Sequence, residues 1–175
     1  MLLFARNFFK HPRMLGSLIP SSGFLIDQVL RQIDWSRARV IVEYGPGVGT
    51  FTAEILRRLR PDGTLVVFET NPEFVRFLNE SLPDPRLCVV HGSAAEVDAV
   101  LARLGYGPAD YVISGIPFST MPEDLRDAIL HSTRAVLHPQ GSFLVYQFSS
   151  RVLADLKRIF GDVERGFQLL NILPA

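Results

Sequence analysis

Three glycines, Gly45, Gly47 and Gly49, fall within five residues, and they constrain the chain more than any other feature. They follow residues 39–44 (RVIVEY), a short β-branched apolar run that reads as a buried strand. They precede TFTAEILRRL, which has the periodicity of a helix. A strand that turns through glycine into a helix is a building unit of open α/β sheets, and in such sheets ligands bind beyond the carboxyl ends of the strands. Glycine permits both the sharp turn and a close backbone approach. Taken alone, the same turn also serves strand–helix packing, and short glycine motifs recur by chance.

The rest of the chain repeats the alternation. Strands are predicted at 64–70, 86–91, 109–115 and 142–148. Helices are predicted at 72–82, 93–105 and 122–137 and near 150–160. Pro72 suits a first helical turn and Gly105 a helix end. This order predicts a doubly wound, Rossmann-like α/β fold with a mostly parallel sheet and helices on both faces. No repeat or linker interrupts residues 1–175, which read as a single domain. The tail from 163 carries strand-like residues, so a final antiparallel strand there must be brief. Ahead of the sheet, a segment over 20–34 reads as a helix covering the site, with Ser21 or Ser22 as its N-cap. Residues 1–14 read as an amphipathic helix with Phe4, Phe8 and Phe9 on one side and Arg6, Lys10 and Arg13 elsewhere.

Composition removes several function classes. Eighteen basic residues balance eighteen acidic ones, whereas a dedicated nucleic-acid binder usually carries a basic excess. Nucleic acid is therefore not the expected partner. Cys88 is the single cysteine, and the four histidines lack ligand-like spacing, so no metal site is expected. One thiol builds no disulfide framework, which fits a reducing cytoplasm. No apolar run reaches the ~18 residues that span a bilayer. Arg6, Asn7 and Lys10 break the N-terminal segment too early for a secretory signal, so it is read as retained.

The glycine spacing separates two cofactors. Dinucleotide sites use G-x-G-x-x-G, and Thr50 stands where the third glycine would be needed. The string running from Glu43 through Gly45, Gly47 and Gly49 to Thr50 instead resembles motif I of class I S-adenosylmethionine-dependent methyltransferases. Glu69, at the end of the second predicted strand in FETNPEF, adds a carboxylate able to accept from two ribose hydroxyls. VLHPQGSFLV resembles the turn leading into strand five of the same enzymes, with Gln140 in place of a glycine. The resemblance implies S-adenosylmethionine as cofactor. It places Glu43 near the methionine ammonium, Gly45, Gly47, Gly49 and Thr50 along the cofactor, Glu69 on the ribose, and Asn71 beside it. Gly92, Ser93 and Ala94 occupy the adenine-contacting place.

The methyl acceptor is read from the segment after strand four, Ser114-Gly115-Ile116-Pro117-Phe118-Ser119. Adenine-N6 methyltransferases of RNA and DNA carry Asn or Asp where Gly115 stands. The strings GSLIPSSGFL, EYGPGVGTFT, FETNPEF, SGIPFSTMP and NILPA are similar to those of the bacterial phospholipid N-methyltransferases, over nearly the whole chain. Tyr44 and Phe118 replace the commoner leucine of that family. This resemblance implies a peripheral enzyme at the cytoplasmic face of the membrane that methylates phosphatidylethanolamine or a related headgroup. The N-terminal segment fits independently, because aromatic and basic residues on one helix suit an anionic bilayer surface; packing of the same helix over the mouth of the site is the alternative, and the two are compatible.

In that reading Ser114 and the carbonyls of Gly115 and Ile116 orient the amine, and Phe118 caps a methylated ammonium by cation–π contact. Tyr44, His91 and Tyr146 lie at strand ends as candidates for the base. The alternatives are a ribosomal RNA adenine-N6 or small-molecule methyltransferase, and a non-catalytic cofactor-binding module.

Overall fold

A computed structural model describes residues 23–146, 152–161 and 163–164. The expectations for residues 1–22, including the amphipathic helix and the serine caps, lie outside the described residues. So do those for 147–148, at the end of the fifth predicted strand, and for the final NILPA.

Among the described residues, five strands form one parallel sheet: β1 (Val40–Tyr44), β2 (Thr64–Glu69), β3 (Leu87–His91), β4 (Ala109–Ser114) and β5 (Leu137–Val145). Their order is β3-β2-β1-β4-β5. The helices are α1 (Gly23–Leu30), α2 (Thr50–Arg58), α3 (Pro72–Ser81), α4 (Val97–Leu104), α5 (Glu123–Val136) and α6 (Leu153–Phe160). The chain runs outward from β1 to β3, then returns to lay β4 on the other side of β1. The reversal leaves a crevice between the carboxyl ends of β1 and β4, where an open α/β sheet takes its ligand.

The central strands β1, β2 and β4 are buried on both faces because they are apolar at both parities, while the edge strands β3 and β5 are half-buried. Ile41, Leu65, Val67 and Ile113 pack with Ile26, Leu30, Phe51, Ile55 and Leu78, so α1, α2 and α3 cover this face. Val42, Tyr44, Val66, Phe68 and Val112 pack with Val97, Leu101, Ile129 and Leu130, so α4 and α5 cover the other. Each fully buried aliphatic side chain contributes about 1.5–3 kcal/mol. Polar groups tie the amino ends of the strands. Asp110 accepts hydrogen bonds from the backbone N–H groups of Arg39 and Val40 at 2.8 and 3.0 Å, and Arg86 donates to the carbonyls of Leu56 and Leu59 at the end of α2.

Several boundaries differ from expectation. The helix read over 20–34 ends at Leu30, and residues 31–33 form a turn beyond it. The helix predicted from 93 begins as a 3-10 turn, Ala94–Glu96, because the Ser93 hydroxyl accepts from the Ala95 N–H and tightens the entry. Strand five starts at Leu137, so the predicted turn through Pro139 and Gln140 belongs to the strand. An irregularity between Ala109 and Tyr111 absorbs the extra residues. Gly141 is required at that irregularity: a Cβ there would lie 2.9 Å from the carbonyl oxygens of Ala109 and Asp110.

Candidate functional site

The crevice has two edges. The first is built by the turn after β1 and the end of β2. Gly45, Gly47 and Gly49 all hold positive φ, at 68°, 55° and 79°, which costs a non-glycine residue about 1–2 kcal/mol. Two of these positions are also crowded. A Cβ on Gly45 would lie 2.7 Å from Ile116 Cγ2, and one on Gly49 would lie 2.6 Å from Leu78 Cδ2. Thr50 then opens α2.

Glu69 fastens this turn. One carboxylate oxygen accepts from the Gly47 N–H at 3.2 Å and the other from the Asn71 N–H at 2.8 Å. Burial raises its pKa, and these backbone donors work against the rise. The Asn71 side chain caps α3 by accepting from the Glu73 N–H at 2.9 Å. At the end of β3, the Gly92 N–H donates to the Glu69 carbonyl at 3.1 Å, and Ala94 is buried.

Glu43 is the other carboxylate and is fully buried. Its Oε2 accepts from the Thr52 hydroxyl at 2.7 Å, while Oε1 is buried with no hydrogen-bond partner. Burial pushes its pKa from 4.5 up to about 8; the Thr52 hydrogen bond opposes this and the charge of Glu69 adds to it. Thr52 was not among the residues expected at the site. Its signal was a polar side chain on the helix face that carries Phe51, Ile55 and Leu56.

The second edge is formed by the ends of β4 and β5, where strand parity sorts the expected residues. Tyr44 pairs with Ser114 and Glu43 with Ile113, so Tyr44 and Ser114 project to the opposite face from Glu43. Tyr44 is corrected on these grounds. Its ring is fully buried edge-to-face against Phe68 and Phe143, and its hydroxyl lies 3.0 Å from the Thr133 hydroxyl. This packing makes it a core residue, and burial also raises its pKa. Phe118 is corrected likewise: it is fully buried, edge-to-face against Phe143, and presents no open face to a cation. Ser114 keeps a buried hydroxyl oxygen without a partner. Gly115 donates its N–H to the Tyr44 carbonyl at 3.1 Å, and Ile116 is half-buried against Gly45. His91 is exposed, with Nε2 3.2 Å from the Thr70 carbonyl. Tyr146 stands beside Gly115, its ring stacked on Phe51 at 4.3 Å. Among the described residues no group of three metal-ligating side chains occurs.

Comparison with known proteins agrees with this geometry. The sequence model of the family described as ribosomal RNA adenine dimethylase matches residues 9–135. Ornithine lipid N-methyltransferase of Singulisphaera acidiphila is 35% identical, over 99% of this chain and 91% of that protein. Ribosomal RNA small subunit methyltransferase H of Bordetella petrii is 29% identical over 78% of this chain, which spans only 40% of that relative. The mycolic acid cyclopropane synthase CmaA1, solved with SAH and CTAB, shares the fold, with a TM-score of 0.58 at 15% identity over 70% of this chain and 41% of its own. The cofactor of this fold and family is S-adenosylmethionine. A glycine turn at the switch point, a carboxylate at the end of each of the first two strands and the matching sequence model converge, and the chain belongs to the family of class I S-adenosylmethionine-dependent methyltransferases that the ribosomal RNA adenine dimethylase model describes.

Proposed function

We propose that this methyltransferase transfers methyl groups to the amine of a membrane-lipid headgroup, phosphatidylethanolamine or an ornithine lipid. The observation that carries the reading is the 35% identity to an ornithine lipid N-methyltransferase along almost the full length of both chains. The RNA reading rests on the family description. It is the weaker one because Gly115 offers no side chain to a base amine and the net charge is zero.

The residues present suit the cofactor. Glu43 Oε1 is buried without a partner, and a cationic ammonium is the group that such an oxygen needs. Gly45, Gly47 and Gly49 hold a positive-φ turn that lets the backbone approach a ligand closely. Glu69, a carboxylate with several acceptor sites, retains capacity beyond its backbone donors for ribose hydroxyls. Asn71, Ser93 and Ala94 contribute through backbone and shape, since the Asn71 and Ser93 side chains already serve as helix caps.

S-Adenosylmethionine supplies a methyl group activated by its sulfonium charge, and the protein has only to align the acceptor and exclude water. Ile116 and the stacked Phe51–Tyr146 pair form an apolar wall beside the crevice. The backbone carbonyls of Gly115 and Ile116 are the acceptors for the amine, whereas the Ser114 hydroxyl is buried on the Tyr44 face. Its proton leaves to solvent at the membrane surface, where the N-terminal segment 1–14 would hold the enzyme. No described helix is long and apolar enough to cross a membrane.

The test is transfer from radiolabelled S-adenosylmethionine to vesicles containing phosphatidylethanolamine, ornithine lipid or neither, followed by organic extraction. Label in the lipid phase with either aminolipid supports the reading. Cofactor binding without lipid label, and label in small-subunit ribosomal RNA instead, would replace it with the RNA reading.

A further inference from the structure

Position 115 is where a side chain beyond β4 would face the acceptor, and here it is glycine. The space is not empty. A Cβ on Gly115 would lie 2.7 Å from Tyr146 Cζ and closer still to the Tyr146 hydroxyl oxygen. Gly115 needs no unusual backbone angle, since its φ is not positive. The reason for glycine is therefore the close approach of Tyr146. Tyr146 follows the last paired residue of β5, and its N–H donates to the Ser114 carbonyl at 3.1 Å. Strand alternation turns its side chain to the Glu43 face, and the ring is held there by Phe51, 4.3 Å away and within 15° of parallel. Phe51 belongs to the first turn of α2, directly after the glycine turn. The tyrosine is thus anchored by the cofactor edge while its hydroxyl overlies the acceptor edge.

We propose that Tyr146 takes over the place Gly115 leaves empty, its hydroxyl hydrogen-bonding the reacting amine, and that the Gly115–Tyr146 pairing fixes the acceptor as a flexible aliphatic amine. This deepens the lipid N-methyltransferase reading and rests on it. A hydroxyl both accepts from an ammonium and donates to a free amine, so it holds the acceptor before and after proton loss. Burial and the nearby Glu43 carboxyl raise the Tyr146 pKa, which makes it a positioning hydroxyl rather than the base. The ring, with one face covered by Phe51 and its hydroxyl edge over Gly115, narrows the entrance that a planar base would need.

The experiment compares the full chain with Tyr146→Phe and Gly115→Asn, using labelled S-adenosylmethionine and vesicles of each aminolipid, with cofactor affinity measured by calorimetry. Tyr146→Phe keeps the stacked ring and loses only the hydroxyl. Its kcat should fall about 10- to 100-fold, the usual size of a lost hydrogen bond to a charged group, with cofactor Kd within about twofold of wild type. Gly115→Asn should displace the ring and abolish lipid transfer while the protein still binds the cofactor. Wild-type kcat in Tyr146→Phe, with wild-type enzyme labelling lipid normally, overturns this inference and leaves the lipid reading standing. No lipid label with wild-type enzyme overturns both.

Discussion

The two edges of the crevice are built on opposite principles. At the β1–β2 edge the candidate residues are a contiguous run, Glu43 and three glycines with positive φ, joined by Glu69 on the neighbouring strand. Those carboxylates differ. Glu69 is satisfied by backbone donors from Gly47 and Asn71, whereas Glu43 is fully buried with one hydrogen bond and one unpartnered oxygen. Glu69 holds the turn in shape, and Glu43 keeps one buried oxygen unpartnered. At the β4–β5 edge the arrangement depends on residues far apart in the chain. A glycine and a tyrosine 31 residues apart share one space, and the stack on Phe51 decides which way the tyrosine points.

The largest effect is expected where the first edge is geometrically tightest. Gly49→Ala combines positive φ with a contact to the fully buried Leu78, and should lower unfolding free energy by about 2–4 kcal/mol in urea titration. A loss below about 1 kcal/mol would mean that the turn adapts easily and that its glycines serve ligand approach alone.

Next in size is Glu43. Its carboxyl is pushed from 4.5 up to about 8, so between those values the folded protein keeps a proton that the unfolded chain has lost. Its contribution to stability is therefore most favourable below pH 4.5 and declines as pH rises to about 8. A cation beside Oε1 favours the ionised form. Cofactor binding at pH 6 should release about one proton, and affinity should rise by up to about tenfold per pH unit towards pH 8. Calorimetry in buffers of different ionisation enthalpy reads the proton directly. Glu43→Gln should abolish the release and weaken binding about 10- to 100-fold. Binding at pH 6 without proton release would remove Glu43 from the cofactor site.

Asn71→Ala sharpens the comparison at lower amplitude. If the side chain is a helix cap only, stability should fall by about 1 kcal/mol with cofactor Kd within about threefold. A larger affinity loss without a stability loss would return the side chain to the ribose. The smallest effect on methyl transfer is expected at Tyr44→Phe. Removing the hydroxyl that meets Thr133 should cost about 0.5–1.5 kcal/mol of stability and leave the transfer rate unchanged. A rate loss would mean that the acceptor edge extends to the other face of the sheet.

The sequence by itself determined the alternation of strands and helices, the glycine turn and the two strand-end carboxylates, because each is encoded by neighbours: β-branched runs, helical periodicity and backbone angles that only glycine adopts cheaply. It also carried the family resemblance through contiguous strings. The tertiary structure decided what depends on strand parity and on partners distant in the chain. Tyr44 is adjacent to Glu43 in sequence but points to the opposite face, into Phe68, Phe143 and Thr133. Phe118, within the candidate acceptor loop, is spent on the core. Thr52 meets Glu43 only because α2 folds back over β1. The glycine at 115 was visible in the sequence as a missing side chain. That its space belongs to Tyr146 is a matter of excluded volume between two strands, and only the folded sheet brings those strands side by side.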